Sequence, residues 1–394
     1  MTFESAAPAP PATARAAERR LVIVVGAVVF VDTMFYAAIA PLLPALAHSL
    51  HLSKLSAGVL TASYPIGTLA AAIPGGIIAV RFGPKRTLYL GLGLLACSTL
   101  AFGFLQTIAL LDAARLLEGI GGACSWAGGL AWIVAEAPPQ RRGALIGGAL
   151  GAAIAGSLFG PIIGTIAGAT GRAPAFSGVG VLSLALILWA RRLPLTRTAS
   201  GQGVRQLWSA LSDRRLVAGM WLVALPATVS GALNVLGPLR LHGFGAGTAG
   251  IGAAFLAGAA VEAVVSPAVG RFSDRRGRMV PLRGGLAVTT VVIACFTLPD
   301  TAVLLALLIV ATAAALGSFW APAMALMSET AEGRGLDQGL AAALMNLAWA
   351  GGVIFGSGAG GAIAKAAGDG PPLFVLAGLC AVTLVGLLRR PLPR

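Results

Sequence analysis

The sequence predicts an all-α integral membrane protein with twelve transmembrane helices in two pseudo-symmetric six-helix bundles. Three observations predict this class: an apolar composition, twelve long apolar segments, and a basic motif that occurs once in each half. Of the 394 residues, 57% are hydrophobic and 11% are charged, and the mean hydropathy is +0.88. Soluble domains carry about 25% charged residues. This chain therefore cannot cover a water-facing surface with charge, and a soluble protein is excluded.

Twelve segments are long and apolar enough to cross a membrane, for which about 20 residues are needed. The runs are continuously apolar, which excludes the alternating pattern of transmembrane β-strands. The first run is too long for a cleaved signal peptide and is treated as a span. We number them spans 1 to 12, and they lie near residues 20–47, 55–79, 87–107, 108–136, 143–170, 173–190, 216–241, 247–270, 279–298, 301–329, 338–366 and 371–388.

The net charge of +14 reports on topology, because most of the basic residues fall on alternate connections between spans. Basic connections remain on the cytoplasmic side of a membrane. We therefore expect a multi-pass protein of the inner (plasma) membrane with both termini in the cytoplasm, and no nucleic-acid partner. The basic segments are 81–86, 141–142, 191–215, 271–283 and 389–394.

Two basic turns indicate a duplicated chain: GGIIAVRFGPKRT at 75–87 and VGRFSDRRGRM at 269–279. The repeat predicts an N-terminal six-helix half at 1–190, a cytoplasmic linker at 191–215 and a C-terminal half at 216–394. Parallel repeats of this kind are one plan of secondary transporters, with substrate held near the midplane between the halves. Matching positions are Gly76 and Gly270, Arg81 and Arg275, Gly83 and Gly277, Glu136 and Glu332, Gly160 and Gly356, and Gly164 and Gly360.

The second basic turn reads G-x-x-x-D-R-x-G-R over residues 270–278, and with twelve spans it resembles the major facilitator superfamily. Two further stretches resemble the drug:proton antiporter branch: RLLEGIGG at 115–122 in span 4, and GSLFGPIIG at 156–164 in span 5. The resemblance implies a secondary active transporter that works by alternating access. It also implies the proton gradient as energy source and no cofactor.

The resemblance implies that an acid in each basic turn latches the cytoplasmic gate against the helix start of the other half, where the helix dipole favours negative charge. Val80 cannot accept that bond and would face 337–339, whereas Asp274 should face Arg142 and Gly143 at the start of span 5. We also expect ion pairs within each half, from Arg81 and Lys85 to Glu136 and from Arg275 and Arg278 to Glu332. The candidate gate residues are Gly76, Arg81, Gly83, Glu136, Asp274, Arg275, Gly277 and Glu332.

Four charged residues within spans have no charged counterpart in the other half: Asp32, Arg115, Glu118 and Glu262. Charge inside a membrane is costly and usually faces a cavity or a partner, so these residues are candidate site residues. Asp32, in VDTMFYAAIAPLLP, looks like the helix-1 acid of the antiporter branch, and Arg115 looks like its helix-4 arginine. We predict that Asp32 carries the proton and that Arg115 modulates it. Glu118 or Glu262 would be a second titrating or cation-attracting group; the alternative for each is a buried structural ion pair.

Aromatic residues predict the wall of the substrate cavity in spans 1, 4, 7 and 10, and an apolar wall with few polar anchors suits amphipathic small molecules. In span 5 small residues recur at every fourth position and predict close helix packing, which would form a seam on which the halves rock. The cavity candidates are Met34, Phe35, Tyr36, Trp126, Trp132, Asn234, Phe319 and Trp320, and the span 5 motif is Gly156, Gly160, Pro161 and Gly164.

Two functions remain open at this point. One is proton-coupled efflux of small apolar or amphipathic compounds, which the motifs in spans 4 and 5 favour. The other is a metabolite carrier of the same fold for sugars, nucleosides or amino acids. The sequence lacks a nucleophile–base set, a metal-ligand cluster and a Walker loop, so we expect neither an enzyme nor a metal site. The expected partners are a small-molecule substrate, protons and the lipid bilayer, with the chain a monomer.

Overall fold

The computed structural model describes residues 12–137, 142–193, 213–336 and 338–389. These residues form α-helices and one short 3-10 turn, which confirms the predicted all-α class. The helices are α1 Ala12–Ala37, α2 Ile39–Ser49, α3 Lys54–Phe82, α4 Pro84–Phe104, α5 Ile108–Glu136, α6 Arg142–Thr170, α7 Arg172–Arg191, α8 Arg214–Gly243, α9 Thr248–Arg276, α10 Met279–Ala294, α11 Ala302–Glu332, α12 Gln338–Ala367 and α13 Gly370–Arg389, and the turn is Cys295–Thr297.

Eleven helical segments of the described chain are long and apolar enough to cross a membrane, and α1 with α2 counts as one of them, Arg19–Ser49. The twelfth predicted span is α5, which is also 29 residues long. It does not reach the apolarity of the others because it carries Asp112, Arg115 and Glu118 together with many glycines. The prediction of a multi-pass membrane protein is confirmed.

Span 1 is interrupted at Ala38, between α1 and α2. Prolines follow at Pro41 and Pro44. A proline has no N–H to donate to the carbonyl four residues earlier and its ring crowds that carbonyl, so helices bend at such positions. The interruption follows closely after Phe35 and Tyr36, inside the span.

The duplication is visible in the backbone. We refer to α1–α7 as the first half and to α8–α13 as the second half. Gly83 joins α3 to α4 with φ +92°, and Gly277 joins α9 to α10 with φ +84°, a region that glycine adopts without strain. The predicted linker at 191–215 lies for the most part outside the described residues, so its boundaries stay a prediction.

The halves meet through α3 with α12 and through α6 with α9. Glycines bring the backbones together: a Cβ on Gly58 would overlap the carbonyl oxygen of Ser357, and a Cβ on Gly361 would approach that of Lys54. Along α6, a Cβ on Gly168 would lie 2.6 Å from Thr248. These contacts lie at the end where α3 begins and α12 ends, which we call the far end.

An ion pair joins the halves at the far end. Lys54 Nζ lies 2.5 Å from Asp369 Oδ1, and Arg240 Nε lies 4.0 Å from Asp369 Oδ2. Lys54 belongs to α3 of the first half, whereas Arg240 ends α8 and Asp369 follows α12 in the second half. We call these three residues the far-end clasp.

The opposite end carries the two basic turns, and we call it the basic end. Val80 is 44% exposed, Phe82 58% and Phe272 45%. A Cβ added to Gly76 or Gly270 would meet nothing within 4 Å. Among the described residues, the glycine contacts and the ion pair between the halves named above thus lie at the far end, whereas these positions at the basic end are exposed or open.

Candidate functional site

Asp32 lies fully buried in the first half and accepts hydrogen bonds from two other helices. The Tyr64 hydroxyl on α3 lies 3.0 Å from both Oδ1 and Oδ2 of Asp32, and the Trp126 indole on α5 donates to Oδ2 at 3.0 Å. A buried carboxylate is tolerated only with such partners. The predicted site residue Asp32 is thus hydrogen-bonded to α3 and α5. The predicted cavity residue Trp126 is one of its two donors.

Two glycines on α5 leave room for this arrangement. A Cβ on Gly122 would lie 2.6 Å from Asp32 Oδ1 and 2.8 Å from the Tyr64 hydroxyl, and one on Gly119 would overlap the Tyr64 carbonyl oxygen. Both glycines belong to the RLLEGIGG stretch. This stretch therefore fixes how closely α1 and α3 approach α5.

Arg115 and Glu118 form a second buried pair on α5. Arg115 Nη1 lies 2.7 Å from Glu118 Oε2, and both side chains are 0% exposed. The remaining polar atoms, Arg115 Nε and Nη2 and Glu118 Oε1, have no hydrogen-bond partner among the described residues. Buried groups of this kind are typical of sites that hold water or a polar ligand.

The Arg115 guanidinium is surrounded by aromatic rings rather than by Asp32. Its Cζ lies 5.3 Å from the ring centre of Tyr64, 5.7 Å from that of Phe35 and 5.8 Å from that of Tyr36. Cations are attracted to ring faces at such distances. The sequence left open whether Arg115 contacts Asp32; in this conformation Arg115 pairs with Glu118, and Tyr64 contacts both Arg115 and Asp32.

The second half contributes Asn234 and Trp349 to the same region. The side chain of Asn234 on α8 lies near the Tyr36 hydroxyl. Trp349 of α12 lies 5.5 Å from Tyr36 and 6.3 Å from Tyr64 between ring centres, both edge to face. Sequence reasoning missed Tyr64 and Trp349, because a single aromatic residue in a span usually faces lipid or packs.

Several predicted cavity residues lie elsewhere. Met34 is a correction: its side chain is 4% exposed and packs in the core of the first half, where α6 approaches α1. Trp132 and Phe319 are also core residues, in the first and the second half respectively, each at most 1% exposed. Phe35 is equally buried, but its ring lies against the Arg115 guanidinium. Trp320 is half-buried and donates to the Met324 sulfur at 2.8 Å, within α11.

Glu262 does not join the Asp32 cluster. It lies on α9 of the second half, half-buried, and a Cβ on Gly317 of α11 would be 3.1 Å from its Cγ. Ser266, one turn further along α9, donates to the Gly317 carbonyl at 3.3 Å. Among the described residues, Glu262 has no hydrogen-bond or ion-pair partner.

Arg278 and Lys85, in the two basic turns, contact partners other than the predicted Glu332 and Glu136. Arg278 pairs with Glu329, one turn before the predicted Glu332, because that turn of α11 faces the start of α10. Lys85 donates to the carbonyl oxygens of Arg191 and Leu193 at the end of α7, where it satisfies free helix-end carbonyls.

The remaining gate candidates lie at or near the basic end. Arg81, Asp274 and Arg275 are exposed. The predicted partners of Val80 and Asp274 involve Asp337 and the surroundings of Arg142 and Gly143, which lie outside what the structure describes. The latch therefore stays a prediction. Gly76, Gly83, Gly277, Glu136 and Glu332 occupy the same turns and the adjoining helix ends.

The glycine face of α6 packs closely against α1 over most of its length, as the small residues predict, and the role of this face in a rocking motion stays a prediction. A Cβ on Gly156 would overlap Thr33 and the carbonyl of Phe30, and one on Gly164 would overlap the Ala38 carbonyl. Gly160 approaches α1 in the same way, next to Pro161. Only the far end of α6 faces α9, at Thr165 and Gly168.

This arrangement can hold a proton or a polar group inside an apolar bundle. One carboxylate is held by neutral donors, and a second is paired with a guanidinium whose other N–H groups are free. Aromatic rings from both halves cover the cluster. No group of three or more His, Cys, Asp or Glu that could hold a metal occurs in the described part of the chain.

Curated relatives match parts of the chain. One is 28% identical over 177 residues, which cover 43% of this chain and 39% of the relative, and is named "MFS-type transporter ppzB" of Metarhizium majus (strain ARSEF 297). Another is 29% identical over 139 residues, covering 33% of this chain and 31% of the relative, and is named "Uncharacterized MFS-type transporter C18.02" of Schizosaccharomyces pombe (strain 972 / ATCC 24843). The matched segments thus span less than half of these relatives' length.

Solved structures superpose over nearly the whole chain. A partially occluded inward-open conformation of the xylose transporter XylE from E. coli gives a TM-score of 0.74 at 16% identity, covering 95% of this chain and 100% of that one. A D-xylose-proton symporter gives 0.75 at 19% identity, covering 95% and 98%. The nucleoside transporter NupG gives 0.73 at 13% identity, covering 94% and 98%. At these identities the likeness shows the fold.

The family itself is shown by a sequence model. The model described as "Major Facilitator Superfamily" matches residues 25–350 and, in a second match, residues 227–394. The two matches together extend from span 1 to the end of the chain, as the repeat and the basic turns predicted. The chain belongs to the Major Facilitator Superfamily.

Proposed function

We propose that this protein is a proton-coupled antiporter that exports small apolar or amphipathic compounds by alternating access, with Asp32 as the proton carrier. One observation carries the proposal: Asp32 is fully buried in the membrane bundle and is held by Tyr64 and Trp126 rather than by a cation. A carboxylate without a counter-ion can exist in both protonation states inside a bundle. A permanent ion pair would oppose the neutral state.

The surroundings of Asp32 support an amphipathic substrate. Tyr36, Tyr64 and Trp349 place three aromatic rings from both halves next to the cluster, with Asn234 as a polar anchor. Pockets with aromatic walls and few polar groups suit such compounds. The basic end would face the cytoplasm of an inner or plasma membrane, and the far-end contacts between the halves would lie on the outside. The protein would work as a monomer and take its energy from the proton gradient.

A metabolite carrier is the second candidate, and a different observation favours it. The buried Arg115 and Glu118 retain three polar atoms without partners, and polar metabolites bind by completing such hydrogen bonds. The xylose and nucleoside transporters that superpose on this chain are only 13–19% identical to it. Their substrates are therefore no evidence for the substrate of this protein.

The experiment is efflux of fluorescent lipophilic cations and neutral dyes from cells that lack their own pumps, with and without a protonophore. Wild type is compared with Asp32→Asn and with Asp112→Asn. Asp112 is a matched control because it is a half-buried carboxylate of α5 whose described polar contact is Ser63, at 3.5 Å.

We expect efflux that stops with the protonophore and with Asp32→Asn but persists in Asp112→Asn. Efflux that persists in Asp32→Asn would move the proton site to Glu118 or Glu262. If no dye is exported, the carrier reading is tested by thermal stabilisation with a panel of sugars, nucleosides and amino acids.

A further inference from the structure

Tyr64 contacts both the buried carboxylate and the opposite half of the protein. Its hydroxyl lies 3.0 Å from each oxygen of Asp32, and its ring lies edge to face against Trp349 of α12. Trp126, the other donor to Asp32, packs instead against the core of the first half. Of these two donors, Tyr64 is the one with a ring contact to the second half among the described residues.

We infer that Tyr64 is a positioning residue that transmits the protonation of Asp32 to the contact between the two halves through Trp349. The inference rests on the proton-coupled function proposed above. It identifies Tyr64 and Trp349 as the residues through which protonation of Asp32 on α1 changes the packing of α3 against α12.

The chemistry of the hydrogen bond gives the first step. A tyrosine hydroxyl donates one proton, and a charged carboxylate is the stronger acceptor for it. When Asp32 takes up a proton, one of its oxygens becomes a donor and the charge that held the hydroxyl is lost. Tyr64 can then donate only to the uncharged carbonyl oxygen or accept from the new O–H, and either bond is weaker than one to a carboxylate, so its ring is held less firmly.

The position of Tyr64 on α3 gives the second step. Gly58 lies six residues earlier on the same helix, where its missing side chain admits the backbone of Ser357. Tyr36 adds a parallel contact, since it packs at 4.8 Å from Tyr64 and 5.5 Å from Trp349. A change in the Tyr64 ring therefore acts where the first half touches α12.

Few other charged groups face Asp32. Arg115 and Glu118 approach from α5 and are fixed to each other at 2.7 Å. The face of α6 next to Asp32 presents glycines to Thr33 and Met34, and α8 presents Asn234 to Tyr36. The hydroxyl of Tyr64 is thus the titration-sensitive contact that reaches the second half.

The test measures far-end opening as a function of pH. In a chain whose four native cysteines are replaced, Ser357→Cys is reacted with a membrane-impermeant maleimide in proteoliposomes, because Ser357 is fully buried at the α3–α12 contact. Labelling rates are compared at about pH 5 and about pH 8, because the pKa values of buried carboxyl groups commonly fall between these two values. The variants are Asp32→Asn, Tyr64→Phe, and Trp126→Phe as the matched control.

Because the thiolate fraction of any cysteine rises steeply over this pH range, each rate is divided by that of an exposed reference cysteine, Asp300→Cys, at the same pH. We expect this normalised wild-type rate to change about tenfold between the two conditions, the size of effect that one charge-assisted hydrogen bond supports. Tyr64→Phe keeps the ring and should flatten this change. Trp126→Phe removes an equally short bond to Asp32 and should keep it. A pH response that survives in Tyr64→Phe but disappears in Asp32→Asn overturns the inference and leaves the proposed function standing.

A response that survives in Asp32→Asn overturns the proposed proton carrier, and the inference with it. If Tyr64→Phe does not fold, Trp349→Leu is compared with Trp349→Phe, which retains a ring. The leucine should flatten the response and the phenylalanine should restore most of it. Equal responses in both would contradict the role of Trp349.

Discussion

Lys54 and Asp369 lie 2.5 Å apart and join the first half of the protein to the second at the far end. Each belongs to a helix end that must move if that end opens. The pair is half-exposed, with 37% and 24% of the two side chains accessible. Its contribution is therefore that of a surface ion pair, which biases a conformational equilibrium without fixing it.

Lys54→Gln should open the far end more often. Exposed ion pairs contribute about 0.2–1 kcal/mol, so maleimide labelling of Ser357→Cys should rise by about two- to fivefold. Lys54→Arg keeps the charge and should resemble wild type, as should Asp300→Asn at an exposed carboxylate. An unchanged rate in Lys54→Gln would show that the clasp does not hold the halves.

Gly58→Ala should also oppose far-end closure, because the methyl group would overlap the Ser357 carbonyl oxygen. The control is Gly76→Ala on the same helix, where a methyl group would meet nothing within 4 Å. Labelling of Thr165→Cys, at the α6–α9 contact, should rise in Gly58→Ala alone. An equal rise in both variants would indicate an effect of helix propensity instead.

Val80→Asp should favour closure of the basic end by restoring the acid that the first basic turn lacks. A carboxylate at a helix start is stabilised by about 0.3–1 kcal/mol, so the closed population should grow by about two- to fivefold. Spin labels at positions 147 and 272, both exposed, measure the distance between the halves by electron resonance. Val80→Asn is the uncharged control, and an equal shift there would refute a charge effect.

Glu118→Gln should destabilise the fold strongly, because it leaves the buried Arg115 charge without its partner. Breaking a buried ion pair in this way costs about 3–5 kcal/mol, whereas replacing both partners by apolar residues costs less. Thermal unfolding in detergent should therefore place the Arg115→Met/Glu118→Leu double variant above Glu118→Gln. The reverse order would show that Glu118 is not the counter-ion.

Asp213 gives a pH prediction outside the spans. Its side chain accepts from the backbone N–H of Arg215 at 2.7 Å and of Leu216 at 3.4 Å, and it pairs with Arg334. These contacts, the Arg215 bond first, hold the pKa of Asp213 below its ordinary value. The stability that the charge contributes is thus present above the unfolded pKa of about 3.9 and is lost as the pH falls through the lower folded value.

Asp213→Asn retains a capping side chain but lacks this charge. It should melt below wild type at neutral pH, and the difference should vanish in acid, once Asp213 is protonated in both states. Melting curves across the pH range provide the measurement. A difference that persists in acid would assign the effect to the shape of the cap rather than to its charge.

Apolar run length was enough to predict the spans, and the spacing of Gly83 and Gly277 was enough to predict the duplication. The choice of Asp32, Arg115 and Glu118 came from charges that the repeat does not share, and the structure brings all three around Tyr64. Their roles stay predictions.

Tyr64 and Trp349 could not be identified as site residues from the sequence. Their meeting depends on glycine contacts between helices that are distant in sequence. The glycines of α6 likewise predict a close partner helix, but the sequence alone does not identify which helix that is.

Because the far-end clasp is half-exposed, the salt concentration around it should affect how readily the far end opens. Dissolved ions screen half-exposed charges over about 8–10 Å at ordinary ionic strength. With the far end facing outward, as in the orientation proposed above, saltier water outside the cell would weaken the attraction between Lys54 and Asp369, whereas dilute water would strengthen it. The same protein would then spend more of its time open to the exterior in a saline habitat than in a fresh one.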